Sequence, residues 1–346
     1  MTESILKMTQ EQRLDIIDLR GASNDDITFL GAAFNSLSST VNNLLFIFRK
    51  FVNKDIALQA YREKEVRLEG RERELTVLFS DIKSFTFITE TLGTDIIKLL
   101  NLHYDRAIRE VLNREGIIGS IIGDALLAVF GVLEGGKNKS YQALQAAYGI
   151  QRVAQSLRDK MQEKKQKLLE LKQSFTEEEE RLLKAVMLEV GVGIDGGRVF
   201  YGNIGSYERM TNTVIGDNVN SASRLEGLTR VYGVPVICSE YVKQDVEGNG
   251  YGEEFLFVEL DQVQVKGKTE GKRIFWPLFR SQIDEKREQE IKIFEKALQA
   301  YYEGEWEKAE EWYRQISLPC AAVFLERIEG KKPPKGWSGI WTMTSK

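Results

Sequence analysis

The chain is expected to fold as a mixed α+β protein: an antiparallel-containing sheet with helices on one face, a coiled-coil helix before it and a helical tail after it. Three observations predict this. Apolar residues recur in alternating steps of three and four from Ile27 to Phe51. The block from Glu74 to about Phe279 alternates short β-forming runs with helical periodicity. The segment after Glu285 carries a second helical pattern.

The amino-terminal pattern runs through Ile27, Leu30, Phe34, Leu37, Val41, Leu44, Phe48 and Phe51, which is the heptad seam of a coiled coil. Asn24, Asp25 and Asp26 precede it as an N-cap and acidic first turn. An amphipathic helix lying on a globular core is the competing reading, but such helices carry a wider apolar stripe. Self-association is therefore favoured. Residues 53–73 read as a helical linker, with Glu63 to Glu74 almost all charge around Val66 and Leu68.

In the central block, ELTVLFSDI reads as a buried strand ending in a polar turn, and Thr94 to Leu112 as a helix. IIGSIIGDALLAVFG reads as a hairpin turning at Gly123-Asp124. Tyr141 to Leu157 is helical; MLEVGVGID and RVFYGNIG are strands joined at Gly196-Gly197. Asn218 to Tyr232 is helical, and VPVIC, FLFVELDQVQV and RIFWPLF complete the sheet. Residues 158–184, rich in Lys, Glu and Gln, read as a solvated helical insertion. Residues 281–346 form a helical extension whose FEKALQAYYEGEWEKAEEWY has tetratricopeptide-like spacing. A solenoid needs about three repeats, so a cap on the preceding domain is expected.

Composition narrows the function. A net charge of −4 offers no basic face for nucleic acid. Cys238 and Cys320 are the only cysteines and His103 the only histidine, which excludes a disulfide frame, a zinc ribbon and multi-histidine metal sites. Catalysis must therefore use carboxylates, lysine, arginine and amides. No run approaches about 18 to 20 uninterrupted apolar residues, and the amino terminus lacks signal-peptide character, so a cytoplasmic location is expected.

Asp81 ends an apolar strand and is followed by Ile82-Lys83-Ser84-Phe85-Thr86, where a helix begins. A carboxylate beside fresh helix amides suits a metal and the phosphate it holds, with Phe85 and Thr86 as candidate substrate contacts. Alone, Asp81 reads more readily as a helix cap, and Asp124 as an ordinary turn residue. In a strand-helix-hairpin unit both carboxylates reach one edge of the sheet, where they could hold a pair of Mg²⁺ ions.

FSDIKSFT, IIGDALLAVFG, VGVGIDGGRVFYGNIGS, NTVIGDNVNSASRLE and VKGK, in that order, resemble the signatures of class III nucleotidyl cyclases of bacterial type. The resemblance implies a ferredoxin-like (βαββαβ) catalytic domain over residues 74–280 and an adenylate cyclase activity on ATP. It implies two Mg²⁺ or Mn²⁺ ions per site, held by Asp81, Asp124 and the carbonyl of Ile82. Asn220 matches the ribose-positioning residue, Arg224 the arginine at the α-phosphate and Lys266 the lysine at the terminal phosphates. These three face the metal aspartates of the other subunit in the family, so a homodimer is implied. Taken singly, Arg224 could instead pair with Glu226, Asn220 could bridge locally and Lys266 could be a turn lysine.

The base-selecting positions depart from the adenylate pattern. Ser120, four residues before Asp124, stands where adenylate members carry lysine, and Thr213 stands where they carry aspartate or threonine. Thr213 can accept from the adenine amino group, whereas Ser120 has neither lysine's reach nor the carboxylate that would bind guanine. ATP is favoured; a guanylate or dual-specificity cyclase and a weakly active nucleotide-binding regulatory module are the alternatives. A diguanylate cyclase is disfavoured because the hairpin lacks a GGDEF-type turn.

NDDITFLGAAFNSL also resembles the second helix of a HAMP signalling module, which gives residues 1–52 a partial HAMP-like character. That resemblance implies a membrane-anchored receptor of which this chain is the cytoplasmic part. Membrane contact would come only through a sensor region upstream of it.

Overall fold

The computed structural model describes residues 8, 14–23, 25–48, 68–133, 136–172, 174–206, 208–264 and 271–342. The chain divides into two units, Met1–Leu68 and Glu69–Lys346.

In the first unit, helix α1 spans Asp26–Phe48. Asp25 caps it, its carboxylate accepting from Thr28 N–H at 2.9 Å. The preceding segment lies along one face of the helix. Asn35 accepts from Ile17 N–H at 2.7 Å and donates to the Ile17 carbonyl at 2.8 Å, and Asn42 donates to the Leu14 carbonyl at 2.7 Å. Gly31 and Ser38 are buried on α1 and Ile17 on the segment, while Ile27, Leu30, Leu37, Leu44 and Phe48 of the seam stay exposed. Phe51, Asn24 and most of the 53–73 linker lie outside the described residues, and the end of that expected helical linker, residues 70–73, is strand instead, paired with residues 199–202.

The second unit contains strands β1 (Gly70–Ile82), β2 (Ile117–Ile122), β3 (Ala125–Phe130), β4 (Val190–Gly205) and β5 (Met210–Ile215). Strands β6 (Val236–Ser239), β7 (Phe255–Gln264), β8 (Lys272–Phe279) and β9 (Trp341–Thr342) follow. The sheet order is β2-β3-β1-β4-β6-β8-β7-β9, with β5 paired antiparallel to the far end of β4. The core order β2-β3-β1-β4 is that of a ferredoxin-like βαββαβ unit, with β1 antiparallel to both neighbours.

Helices α2 (Phe85–Leu92), α3 (Ile96–Leu112), α4 (Lys139–Lys172) and α7 (Glu240–Gly248) share a core with one face of the sheet. Residues 158–184 fall in the second half of α4 and in α5 (Glu177–Ala185). The opposite face is covered by α6 (Asp217–Tyr232) and by the tail helices α8 (Glu285–Tyr302), α9 (Trp306–Tyr313) and α10 (Pro319–Ile328). The expected single helical layer is thus two layers, and the alternation along β4 explains it. Val192 and Ile194 point into the α4 side, while Gly191 and Gly193 leave the other side bare for α6. A Cβ at Gly193 would sit 2.1 Å from Glu226 N and 2.2 Å from the Ala222 carbonyl oxygen, so α6 rests on bare backbone.

Candidate active site

Strand β1 is buried on both faces and ends at Asp81 and Ile82, next to the two-residue turn Gly123-Asp124 between β2 and β3. Gly123 adopts φ 63°, which the tight turn requires and a side chain would resist. Because β3 pairs with β1, the turn is carried to the end of β1 and the two aspartates meet. Burial and the neighbouring Asp81 carboxylate push the Asp124 carboxyl well above the usual carboxylate range. The Ile82 amide also bonds to Asp124. Two hard oxygen donors crowded into partial burial fit a divalent cation, which would relieve their repulsion. Among the described residues no group of three or more His, Cys, Asp and Glu could hold a metal, so further donors would be backbone carbonyls or water.

Helix α2 starts immediately beyond, with Ser84 at φ 58° and ψ 32° turning the chain into it. Ser84 makes no side-chain cap, which leaves the first amides of the helix, at half-buried Phe85 and exposed Thr86, open to an anion. Lys83 stays within electrostatic reach of Arg230 and Glu226. Its ammonium lies 3.9 Å from Glu189, and burial lowers its pKa.

Three residues to which the sequence reading gave no role in the chemistry converge here. Arg230 Nη2 lies 2.7 Å from Asp81 Oδ2 and 3.7 Å from Glu226 Oε1. Glu226 is 6% exposed, and burial pushes its carboxyl up to about 7. Tyr104 on α3 donates to the Gly123 carbonyl at 3.0 Å and so holds the turn that carries Asp124. The Glu226/Arg230 spacing of four on one helix was a legible pair signal, whereas Tyr104 gave only an apolar-face position.

Asn220 and Arg224, one helical turn apart, are both exposed on α6. Arg224 forms no ion pair with a described residue; Glu226 is taken by Arg230 instead. Ser120 is half-buried on β2, opposite Leu127 and just past a register irregularity, and Thr213 is half-buried on β5 opposite Gly202. Lys266 lies outside the described residues. The strand that follows it starts at Lys272, whose ammonium pairs with fully buried Asp195 and donates to Ser221 Oγ at 2.9 Å. That pairing ties the start of β8 to α6.

Residues 69–278 match the family described as Adenylate and Guanylate cyclase catalytic domain. An adenylate cyclase of Anabaena cylindrica is 32% identical over 257 residues, covering 73% of this chain and 46% of that protein. The terminal-differentiation specific adenylate cyclase of Dictyostelium discoideum is 30% identical over 233 residues, covering 67% of this chain and 10% of that protein. The chain thus spans less than half the length of these relatives. In fold it is similar to a bacterial light-regulated adenylyl cyclase, with a TM-score of 0.57, 22% identity and coverage of 80% of this chain and 71% of that one. With the family match extending over more than half of its residues, this chain belongs to the adenylate and guanylate cyclase catalytic domain family.

Proposed function

We propose that the chain is an adenylate cyclase that converts ATP to 3′,5′-cyclic AMP and pyrophosphate at sites shared between two copies. The observation that carries this reading is the division of the candidate residues. Asp81 and Asp124 meet at one sheet edge, and the α6 residue that reaches them is Arg230, while Asn220 and Arg224 stand exposed with no described ion-pair partner. A second copy, related by a two-fold axis, would bring its own Asn220 and Arg224 to this chain's aspartates.

In the reaction the ribose 3′-oxygen bonds to the α-phosphorus, the bond from that phosphorus to the oxygen bridging to the β-phosphate breaks, and pyrophosphate leaves. The hydroxyl proton passes to solvent. Two Mg²⁺ or Mn²⁺ ions held by Asp81, Asp124 and the Ile82 carbonyl would supply acidification of the hydroxyl and neutralisation of phosphate charge. Asn220 orients the ribose, and Arg224 meets the charge that grows on the α-phosphate, where partial exclusion of water strengthens it. Lys266 grips the terminal phosphates, and the open amides at Phe85 and Thr86 receive them from the other side. Thr213 accepts from the adenine amino group; Ser120 leaves that end of the base loosely held.

The names of the Anabaena and Dictyostelium relatives support ATP as substrate. The exposed seam of α1 supports pairing, and a HAMP-like amino-terminal helix would set how the two catalytic domains meet. Because Ser120 stands where adenylate members carry lysine, a guanylate or dual-specificity enzyme is the second reading. Separating the cyclic products formed from ATP and GTP side by side decides between them. The shared site is tested by mixing Asp81→Ala and Arg224→Ala chains, each inactive alone. Mixed dimers should regain activity at one of their two sites, and proven mixed dimers without activity would refute it.

A further inference from the structure

The tail from α8 onward is not required by the chemistry above, yet it ends in a buried ionic knot against the helix that carries Asn220 and Arg224. Arg327 on α10 is 8% exposed, and Asp261 on β7 and Tyr232 on α6 are fully buried. Arg327 Nη1 donates to Asp261 Oδ2 at 2.6 Å, and its Nη2 donates to Tyr232 Oη at 3.0 Å. Tyr232 Oη in turn donates to the same Asp261 oxygen at 2.6 Å, closing a three-membered ring of charge-assisted bonds. The indole of Trp341 covers the guanidinium, 4.5 Å from its carbon.

Tyr232 is the last residue of α6, and Gly233 beyond it abuts Pro319, the first residue of α10. On its other side the tail grips β7. Trp341 and Thr342 of β9 pair with Val263 and Gln264, the last residues before the segment that contains Lys266. The tail thus holds α6, which carries Asn220 and Arg224, and the strand that precedes Lys266, and it meets the aspartates only through Arg230 of α6, which contacts Asp81.

We propose that Arg327 is a positioning residue for the nucleotide half-site, setting the rotation of α6 through Tyr232 and Asp261. This rests on the shared-site reading. Gly193 seats the middle of α6 and Lys272 holds Ser221 near its start, but toward its end α6 is buried by Leu225 and Leu228, whose apolar packing is non-directional and tolerates small rotations. A rotation of about 10° moves a side-chain tip by about 1 Å on a helix of this radius. A misplacement of that size costs on the order of a hundredfold in rate. Buried ion pairs are often replaceable by apolar groups without loss of stability, so the knot's contribution is direction, not cohesion.

The test uses the full chain with Tyr232→Phe, Asp261→Leu and Arg327→Met together, which removes every polar group of the knot and leaves the site apolar. These changes are placed either in the Asp81→Ala chain, which supplies α6 to the one working site of a mixed dimer, or in the Arg224→Ala chain, which supplies the aspartates. Measured at saturating Mg²⁺, where the Arg230–Asp81 contact no longer limits metal occupancy, complemented activity should fall about tenfold or more in the first arrangement and stay within about twofold in the second. Equal activity in both would overturn the proposal, because a general loss of stability cannot distinguish them. Should the triple variant not fold, Arg327→Lys in the same two arrangements decides, since lysine keeps the charge but cannot bridge both partners. If the unaltered pair fails to complement, the shared-site reading falls. The triple variant in an otherwise intact chain then decides: a tenfold fall in kcat at preserved melting temperature and KM upholds Arg327, and an unchanged kcat overturns it.

Discussion

Arg230 Nη2 lies 2.7 Å from Asp81 Oδ2, so a cation of the chain's own α6 is already in contact with the first site carboxylate. The two groups are 149 residues apart in sequence and are joined only because α6 packs on β4 beside β1.

With Asp81 as the metal ligand proposed above, that contact would set a competition between guanidinium and metal. Replacing Arg230 by Gln should lower the Mg²⁺ or Mn²⁺ concentration for half-maximal activity by about two- to fivefold, the modest size reflecting solvent screening of a partly exposed pair. Titrating activity against metal measures it; an unchanged or raised midpoint would count against the competition.

Two glycines on either side of the α6 contact should behave in opposite ways. Gly193→Ala drives a methyl into the backbone of Ala222 and Glu226 and should destabilise by about 3 kcal/mol or more, with loss of activity. Gly227, within α6, has nothing within 4 Å of a built Cβ, and Gly227→Ala should stabilise by about 0.5 to 1 kcal/mol. Denaturant midpoints of the two variants give the comparison.

His103 is 1% exposed, and burial lowers its pKa to about 4. The unfolded chain therefore binds a proton that the folded chain refuses between about pH 6.5 and 4. Its contribution is fully present above pH 6.5 and is lost as pH falls, reaching about 3 kcal/mol below pH 4. Glu226 acts in the opposite sense, because its raised carboxyl favours the folded state as pH falls through about 7. Melting curves of the parent and of His103→Leu between pH 7.5 and 5 separate the two: the variant should lose less stability on acidification. Parallel curves would show that His103 titrates normally.

Base choice should respond to the two half-buried residues on β2 and β5. Ser120→Lys should raise kcat/KM for ATP relative to GTP, and Ser120→Glu with Thr213→Cys should shift the ratio toward GTP, each by about tenfold. Product ratios from mixed ATP and GTP reactions read this directly. A ratio that both sets of changes leave unmoved would place base recognition elsewhere.

Much of the fold was legible because periodicity and turn chemistry are local. The hairpin turning at Gly123-Asp124 and the buried run ending at Asp81 appear as read, and the ordered motifs placed the chain in its family. The expected single layer of helices was incomplete because nothing in the strand run MLEVGVGID marks Gly191 and Gly193 as a place where a helix rests. Only the packed structure reveals them as the seat of α6. Arg230 and Tyr104, absent from the motifs, and Glu226, which closes one of them, take their place in the site from neighbours brought in by other elements.

The sequence by itself determined much of the strand and helix order, although the two strands expected at MLEVGVGID and RVFYGNIG are the single strand β4 and neither β5 nor α7 was expected. It also determined the adjacency of Asp81 and Asp124 through one hairpin and membership in the cyclase family. These follow from alternation, turn preference and motif order, all carried within short windows. The tertiary structure alone decided that Arg230 contacts Asp81, that Glu226 is buried beneath them, and that Arg327 knots the tail to the end of α6. The physical reason is that a side chain's period tells which way it faces, whereas its partner is chosen by how the layers close, and that closure is a property of the whole core.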